Sequence, residues 1–285
     1  MNIILGTVQF GLDYGILGRG LPSEDDCKQM MSFAHENHIR TLDSAIAYGL
    51  AHERIASFHL KSSSKFNIIT KFHSSDINGS LRSFLVDLCS ELNVTRLSCL
   101  MFHSFTDYEL NRSIAVDLVE LGDLVERVGV SVYGLDEALV VEGDPCIQVI
   151  QMPFNLFYLG RREDDFLSSK NRRCDLHIRS VYAQGLVFAG SNSQIKKLPV
   201  QLQEAVFKIQ EVCNTYSMNI GALALHVVRA RLSDRDAMLV AADGLDQLKE
   251  TVRILNEESS DPPLELITEI VSSVPVLDLD PRSWP

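Results

Sequence analysis

The sequence predicts an α/β fold, a single (β/α)8 TIM barrel with additional C-terminal helices, and three observations predict it. Short apolar runs alternate with amphipathic helical stretches eight times along the chain. No Gly/Ser/Pro linker or block of like charge interrupts that alternation, so residues 1–285 read as one domain. The length of 285 residues suits a barrel, typically roughly 250 residues, with a few additions.

The first unit opens with Asn2 to Leu5, an apolar strand, and continues into Gly6-Thr7-Val8-Gln9-Phe10-Gly11, a glycine-bracketed turn where backbone can approach a ligand. Ser23 caps the helix behind it, with Glu24, Asp25 and Asp26 in the first turn and Met30, Met31, Phe33 and Ala34 at helical spacing. The second strand, Ile39 to Asp43, ends on a carboxylate. A small-residue loop with Gly49 as its turn residue then leads to a helix from about Leu50 that carries Ile55 and Phe58. The third strand, Phe66 to Lys71, ends on a lysine, and the helix from about Ser80 to Leu92 places Leu81, Phe84, Leu85 and Leu88 on one side. The fourth, Leu97 to Phe102, runs into His103, with a helix Ala115 to Leu121 behind it.

Strand five is Arg127 to Ser131 with the helix Leu135 to Glu142, and strand six is Ile147 to Gln151 with a helix near Phe166. Strand seven is His177 to Ser180, followed by a longer helical stretch, and strand eight is Ala237 to Val240 with the helix Leu245 to Leu255. The helices Gln201 to Tyr216 and Pro263 to Ser272 read as additions. The tail Asp278 to Pro285, with Trp284, is expected to fold over the outside or one end. In a parallel barrel the loops at the carboxyl ends of the strands build the site, so Asp43, Lys71, His103, Ser131, Gln151 and Ser180 converge on one pocket. Singly, each has a plainer reading as a helix cap, a solvated charge or a core residue. Six of them in strand order on one face point to chemistry.

Composition narrows the partners. A formal charge of −12 and a sequence pI near 5.1 argue against a nucleic-acid partner, which selects a basic face. The six cysteines are scattered singly, as in a reduced cytoplasmic protein. No apolar run reaches membrane-spanning length, and the amino terminus lacks the pattern of a signal peptide. No metal site is expected, since His35 and His38 share a helix without carboxylate or cysteine company. Gly15-Ile16-Leu17-Gly18-Arg19-Gly20 lacks the spaced dinucleotide fingerprint and reads as a loop. The pair Lys196-Lys197 reads as a solvated face, and no feature specifies an oligomer.

Several of these stretches together resemble the aldo-keto reductase family over nearly the whole chain. They are Leu5-Gly6-Thr7, Asp43-Ser44-Ala45-Ile46-Ala47-Tyr48-Gly49, Thr70-Lys71, His103, Val128-Gly129-Val130-Ser131 and Gln151-Met152-Pro153-Phe154-Asn155, with Arg179-Ser180-Val181-Tyr182-Ala183-Gln184-Gly185-Leu186. The resemblance implies a barrel that binds an extended nicotinamide cofactor and reduces the carbonyl of a small aldehyde or ketone, with Asp43, Tyr48, Lys71 and His103 as the catalytic set. Adding hydride to a carbonyl leaves an alkoxide that must be protonated, and Tyr48 can supply the proton. A free phenol, with a pKa of about 10, is a weak donor near neutrality, and a lysine ammonium about 4 Å away favours its phenolate by up to ~4 kcal/mol at an effective dielectric of 20. Lys71 is the expected tuner, Asp43 keeps it charged, and His103 orients the substrate oxygen.

The resemblance also implies the cofactor contacts. Gly6 and Thr7 belong to them, Ser131 and Gln151 would hold the carboxamide, and Ser180 and the backbone around Tyr182 would face the pyrophosphate. Val132 stands where the family commonly has Asn, and Arg179 where many members stack a tyrosine on the nicotinamide ring. Val240 to Glu250 resembles the grip on the adenosine end, yet Ala241 and Gln247 stand where members preferring a 2′-phosphate often carry Lys and Arg, with Asp243 nearby. NADPH is the family default, and these residues make NADH more plausible than usual, although Lys249 could partly compensate. Short segments after Phe72-His73 and after His103 suggest an open pocket for a polar or sugar-like carbonyl. Two other readings stay open: a non-redox barrel enzyme using Lys71 as a Schiff-base nucleophile, and a cofactor-binding regulatory protein with little turnover.

Overall fold

A computed structural model describes residues 2–14, 20–188, 193–257, 263–280 and 284. The Gly15 to Gly20 stretch therefore lies largely outside the described residues, as does most of the tail beyond Asp280. Eight parallel strands close in sequence order into a barrel: β1 (Asn2–Gly6), β2 (Thr41–Asp43), β3 (Asn67–Phe72), β4 (Cys99–Phe102), β5 (Val128–Ser131), β6 (Val149–Pro153), β7 (Asp175–Arg179) and β8 (Ala237–Val240). β8 pairs back onto β1, with Asn2 opposite Ala237 and Leu5 opposite Val240. The fold is the one expected from the alternation of apolar runs and helices.

Strand periodicity divides the core in two. Leu5, Leu42, Ile68, Leu100, Val130, Ile150, Ile178 and Met238 face outward beneath the helices and join the large buried core. The alternate residues Ile4, Ile69, Cys99, Met101, Val149, Ala237 and Leu239 pack against one another as a separate cluster. Ile69, Cys99, Met101 and Val149 lie two or four residues before Lys71, His103 and Gln151, on the same face, so the cluster forms an apolar plug inside the barrel. Gly129 is required there, because a Cβ would meet Met101 Cγ and the Val149 carbonyl, each at 2.9 Å.

The outer ring starts with α1 (Glu24–Glu36), whose expected cap is present: Ser23 Oγ accepts from the Asp26 N–H and the Asp26 carboxylate accepts from the Ser23 N–H. It continues with α2 (Ala51–Lys61), α3 (Leu81–Glu91), α4 (Phe105–Leu110), α5 (Arg112–Glu120), α6 (Leu135–Glu142), α7 (Arg162–Ser168), α8 (Val200–Thr215), α9 (Ile220–Arg229), α10 (Leu245–Asn256) and α11 (Leu264–Ser272). α10 packs on α1 and closes the ring. Helices α8 and α11 pack against each other as the expected additions. The short α4 was not expected; Ser104 caps it by accepting from the Asp107 N–H, and it is too short for a periodic pattern. The stretch after strand seven is two helices, split near Ser217, which has positive φ, with α9 capped by Asn219. Of the tail, a turn spans Val276–Leu279, and the Trp284 indole N–H donates to the Asp278 carbonyl.

The seam between β7 and β8 carries only two register pairs, His177 with Ala237 and Ile178 with Met238. A buried ion pair reinforces it. Arg172 donates from both terminal nitrogens to Asp236, at 3.0 and 2.7 Å, and Asp236 also accepts from the Leu176 and Ser233 N–H groups. Burial alone would raise this carboxyl's pKa, but the guanidinium and these donors hold it below the usual range. Asp236→Ala removes one partner and strands a buried guanidinium, so a loss of about 3–5 kcal/mol in unfolding free energy is expected by denaturant titration.

Candidate active site

Four strand ends meet through one polar network. Lys71, at the inward end of β3 and 1% exposed, donates to Asp43 Oδ1 at 2.5 Å and to the Ser44 carbonyl at 3.2 Å. The other carboxylate oxygen of Asp43 accepts from Gln151 Nε2, on β6, at 2.8 Å. The Asp43 carbonyl accepts from both the N–H and the hydroxyl of Thr7, each at 2.9 Å, so the loop after β1 is tied in as well. Burial works against the ammonium, but the Asp43 carboxylate and the Tyr48 phenol outweigh it and leave the Lys71 pKa raised. The lysine is a fixed cation.

Tyr48 reaches this network from the loop after β2. The Lys71 ammonium lies 5.4 Å from the centre of its ring, and the His103 ring meets it edge-on at 5.9 Å. The backbone that carries Tyr48 is set by two glycines. At Gly11 a Cβ would fall 1.6 Å from the Tyr48 carbonyl oxygen, and Gly49 holds φ of +51° while its missing Cβ would meet the Gly11 carbonyl at 2.5 Å. Gly11 thus gives close approach to the Tyr48 loop, whereas Gly6 faces the pocket directly.

His103 follows β4 and stacks on His73, which follows β3, at 5.0 Å between ring centres. Burial, followed by the charges of Lys71, His73 and Arg179, depresses the His103 pKa to about 4. Its Nδ1 is buried and has no partner among the described residues. The imidazole is neutral at physiological pH.

Beside this network a cavity of about 160 Å³ opens along the carboxyl ends of β1, β7 and β8. Gly6, Thr7, Asp43, Tyr48 and Gln151 line one side. Arg179, Ser180 and Tyr182 line the next, and Ala241, Asp243 and Gln247 the far end. Lys71, His103 and Ser131 are not among the lining residues; Ser131 is buried at the end of β5, in register with Gln151. Gln9, Tyr14, Gln184 and Phe188, not expected as site residues from the sequence, also line the cavity. Gln184 Nε2 donates to the Tyr14 hydroxyl at 3.1 Å across it. The only signal for them was position, in loops at the carboxyl ends of strands.

A model of the aldo/keto reductase family matches residues 2–272. The chain belongs to the aldo/keto reductase family. This aldo-keto reductase is thus a member of an enzyme family of oxidoreductases that typically use NAD(P)H on small carbonyl compounds. Among solved structures, it is similar to a glycerol dehydrogenase from Gluconobacter oxydans, with TM-score 0.68 and 16% identity over 95% of this chain and 91% of that one. It is also similar to a protein from Pseudomonas aeruginosa assigned to the aldo-keto reductases, with TM-score 0.63 and 16% identity over 88% of each chain. At such identity the likeness is one of fold. No curated protein sequence matches the chain.

Two departures from the family pattern acquire a geometry. Val132 is fully buried in the outer core, and its carbonyl accepts from the Arg179 guanidinium at 3.0 Å. That guanidinium stacks on the Tyr133 ring at 4.4 Å. At the far end, Gln247 accepts from the Asp243 N–H at 2.7 Å, and Lys249 lies beside Asp246 at 4.0 Å rather than lining the cavity. The loop after β7 holds Ser180, Ala183 and Gln184 at positive φ, a cluster of costly backbone for non-glycine residues. Among the described residues no group of three or more His, Cys, Asp or Glu could hold a metal, and no helix is long and apolar enough to cross a membrane.

The His103 shift has a measurable sign. An unfolded histidine binds a proton below about pH 6.5, while the folded ring stays neutral down to about pH 4, so the unfolded state gains stability across that window. Histidine NMR should find the His103 resonance unprotonated at pH 5.5. Its contribution to unfolding free energy should be complete above pH 6.5 and fall as the pH approaches 4.

Proposed function

We propose that this single-domain barrel reduces the carbonyl of a small polar aldehyde or ketone with a reduced nicotinamide cofactor, using Tyr48 as the proton donor. The observation that carries the reading is the buried Lys71, clamped to Asp43 and placed 5.4 Å from the Tyr48 ring at the mouth of the barrel. The cavity fits a cofactor by its own chemistry. Gln9 lines it and has a buried carbonyl oxygen with no partner among the described residues, Gly6 leaves its wall bare, and Gln151 and Ser180 add polar groups. When bound, the reduced nicotinamide supplies the hydride to the substrate carbon.

The residues of the chain then handle charge and protons. As negative charge grows on the substrate oxygen, the Tyr48 hydroxyl donates its proton, and the Lys71 ammonium stabilises the charge left on the phenol. The ammonium lies 5.4 Å from the ring centre in a buried network, where such an attraction is stronger than in bulk water. Asp43 keeps the ammonium charged and aimed. A neutral His103 offers a hydrogen bond that orients the substrate oxygen. The stacked His73 and His103 rings set polar groups beside Tyr48, which supports a polar substrate. A raised Lys71 pKa argues against a Schiff-base nucleophile, which needs a free amine. The six cysteines carry no disulfide and five are buried, which supports a reducing, cytoplasmic setting.

At the adenosine end we favour NADH over the family's usual NADPH. Among the described residues lining the cavity Arg179 is the one cation, and it is stacked on Tyr133, whereas Asp243 lines the far end, where a 2′-phosphate would add like charge. Fluorescence titration should give a lower Kd for NADH than for NADPH, and Asp243→Asn should narrow the gap. Equal or tighter NADPH binding by the unaltered protein would reverse this assignment.

For the chemical step, Tyr48→Phe should bind cofactor with unchanged affinity and lose roughly 10²–10⁴-fold in kcat, the usual worth of a general acid. Steady-state kinetics on a panel of polar carbonyl compounds checks it, and a variant with wild-type kcat would remove Tyr48 from the mechanism.

A further inference from the structure

The opposite end of the barrel holds a second and larger cavity, of about 560 Å³, within the range of small-molecule sites. Its ceiling is the apolar plug, through Ile4, Ile69 and Ala237, together with His177. Its rim is polar and comes from the amino ends of the strands. On β3, Ile69 lines this cavity and Lys71 belongs to the active-site network two residues further on, so the plug keeps the two ends apart.

Charge and an orphaned nitrogen both give this cavity a preference. Arg40, Arg127 and Arg235 line it against Glu126 and Asp175. One carboxylate serves two of the guanidiniums: Asp175 lies 2.9 Å from Arg127 and 3.6 Å from Arg235. Glu126 is also met by Arg96, at 3.9 Å, which is not among the lining residues. Among the described residues Arg40 bonds the His35 carbonyl and the His38 ring. The balance is positive, in a chain of formal charge −12. Above this ring sits His177, 2% exposed, whose Nδ1 is buried with no partner among the described residues. Burial, then the nearby Arg127 charge, depresses its pKa to about 3, so the ring is neutral and can present an N–H at Nδ1.

We propose that this cavity binds a small oxyanion-bearing molecule, a carboxylate or a phosphate, held by Arg127, Arg235 and Arg40 with an oxygen accepting from His177 Nδ1. Arg235 already donates to the Arg172, Arg173 and Cys174 carbonyls and Arg127 to Asp175, so an anion there meets the donors these guanidiniums have left over, which suit carboxylate and phosphate oxygens. It also gives the buried imidazole nitrogen its missing partner. None of these residues belongs to the proposed catalytic or cofactor set, so the inference stands apart from the redox reading.

The test is a titration of the full-length protein with sodium acetate and, separately, with inorganic phosphate, at constant ionic strength set with chloride. Calorimetry reads binding and nitrogen-15 NMR reads the His177 ring. The expected result is saturable binding of at least one anion with movement of the His177 Nδ1 resonance. Acetate alone assigns a carboxylate, and phosphate alone a phosphate group. Arg235→Gln and Arg40→Gln, both at exposed positions, should each weaken binding roughly tenfold or more, as expected for loss of a charge-assisted hydrogen bond. Saturating NADH should leave the affinity unchanged. Three results would overturn the proposal: no saturation by either anion at tens of millimolar, binding with a still His177 resonance, or binding indifferent to both arginine substitutions.

Discussion

The buried ion pair between Lys71 and Asp43 is the constraint on which the carboxyl end of this barrel depends. Withdrawing an ammonium and a carboxylate from water costs several kcal/mol for each ion, which their attraction offsets only when the remaining hydrogen-bonding capacity is filled. Here it is filled from elsewhere in the barrel. The Ser44 carbonyl takes a second ammonium proton, Gln151 donates to the free carboxylate oxygen, and Thr7 donates twice to the Asp43 carbonyl. Residues from β2, β3 and β6 and from the loop after β1 must all be in place before the charges are compensated. Closure of the barrel and assembly of the network are therefore one event.

From that pair the rest of the site follows by packing. The Tyr48 phenol stands over the ammonium because its loop crosses the turn after β1 at two glycines, where any side chain would collide with backbone. His103 is kept neutral by burial and by the same Lys71 charge. Below, an apolar plug fills the barrel and insulates the pair from the amino-terminal mouth. The low-dielectric surroundings that make the pair costly to build also strengthen its hold on charge developing nearby.

Much of this was legible in the residues themselves. The capping box at Ser23, the eight strands and the carboxylate, lysine and histidine at successive strand ends follow from local spacing and from the rule that parallel strands bury both faces. Less visible were α4, only six residues long, and the break between α8 and α9, where Ser217 takes a positive φ that serine does not advertise. The cavity wall was also hidden in part. Tyr14 and Gln184 lie 170 positions apart and meet only because the loops after β1 and β7 flank β8 at the same end of the barrel.

By itself, the sequence determined the element order, the closed barrel and the identity of the groups at its carboxyl end, because periodicity and strand-end position are local properties of the chain. Only the tertiary structure decided how those groups are used. It turned Val132 into the core and stacked Arg179 on Tyr133, it gave Gly11 the task of admitting the Tyr48 backbone, and it left His177 above a ring of arginines. Those outcomes depend on which distant side chain fills the space next to each residue, and that is fixed only when all eight strands have closed.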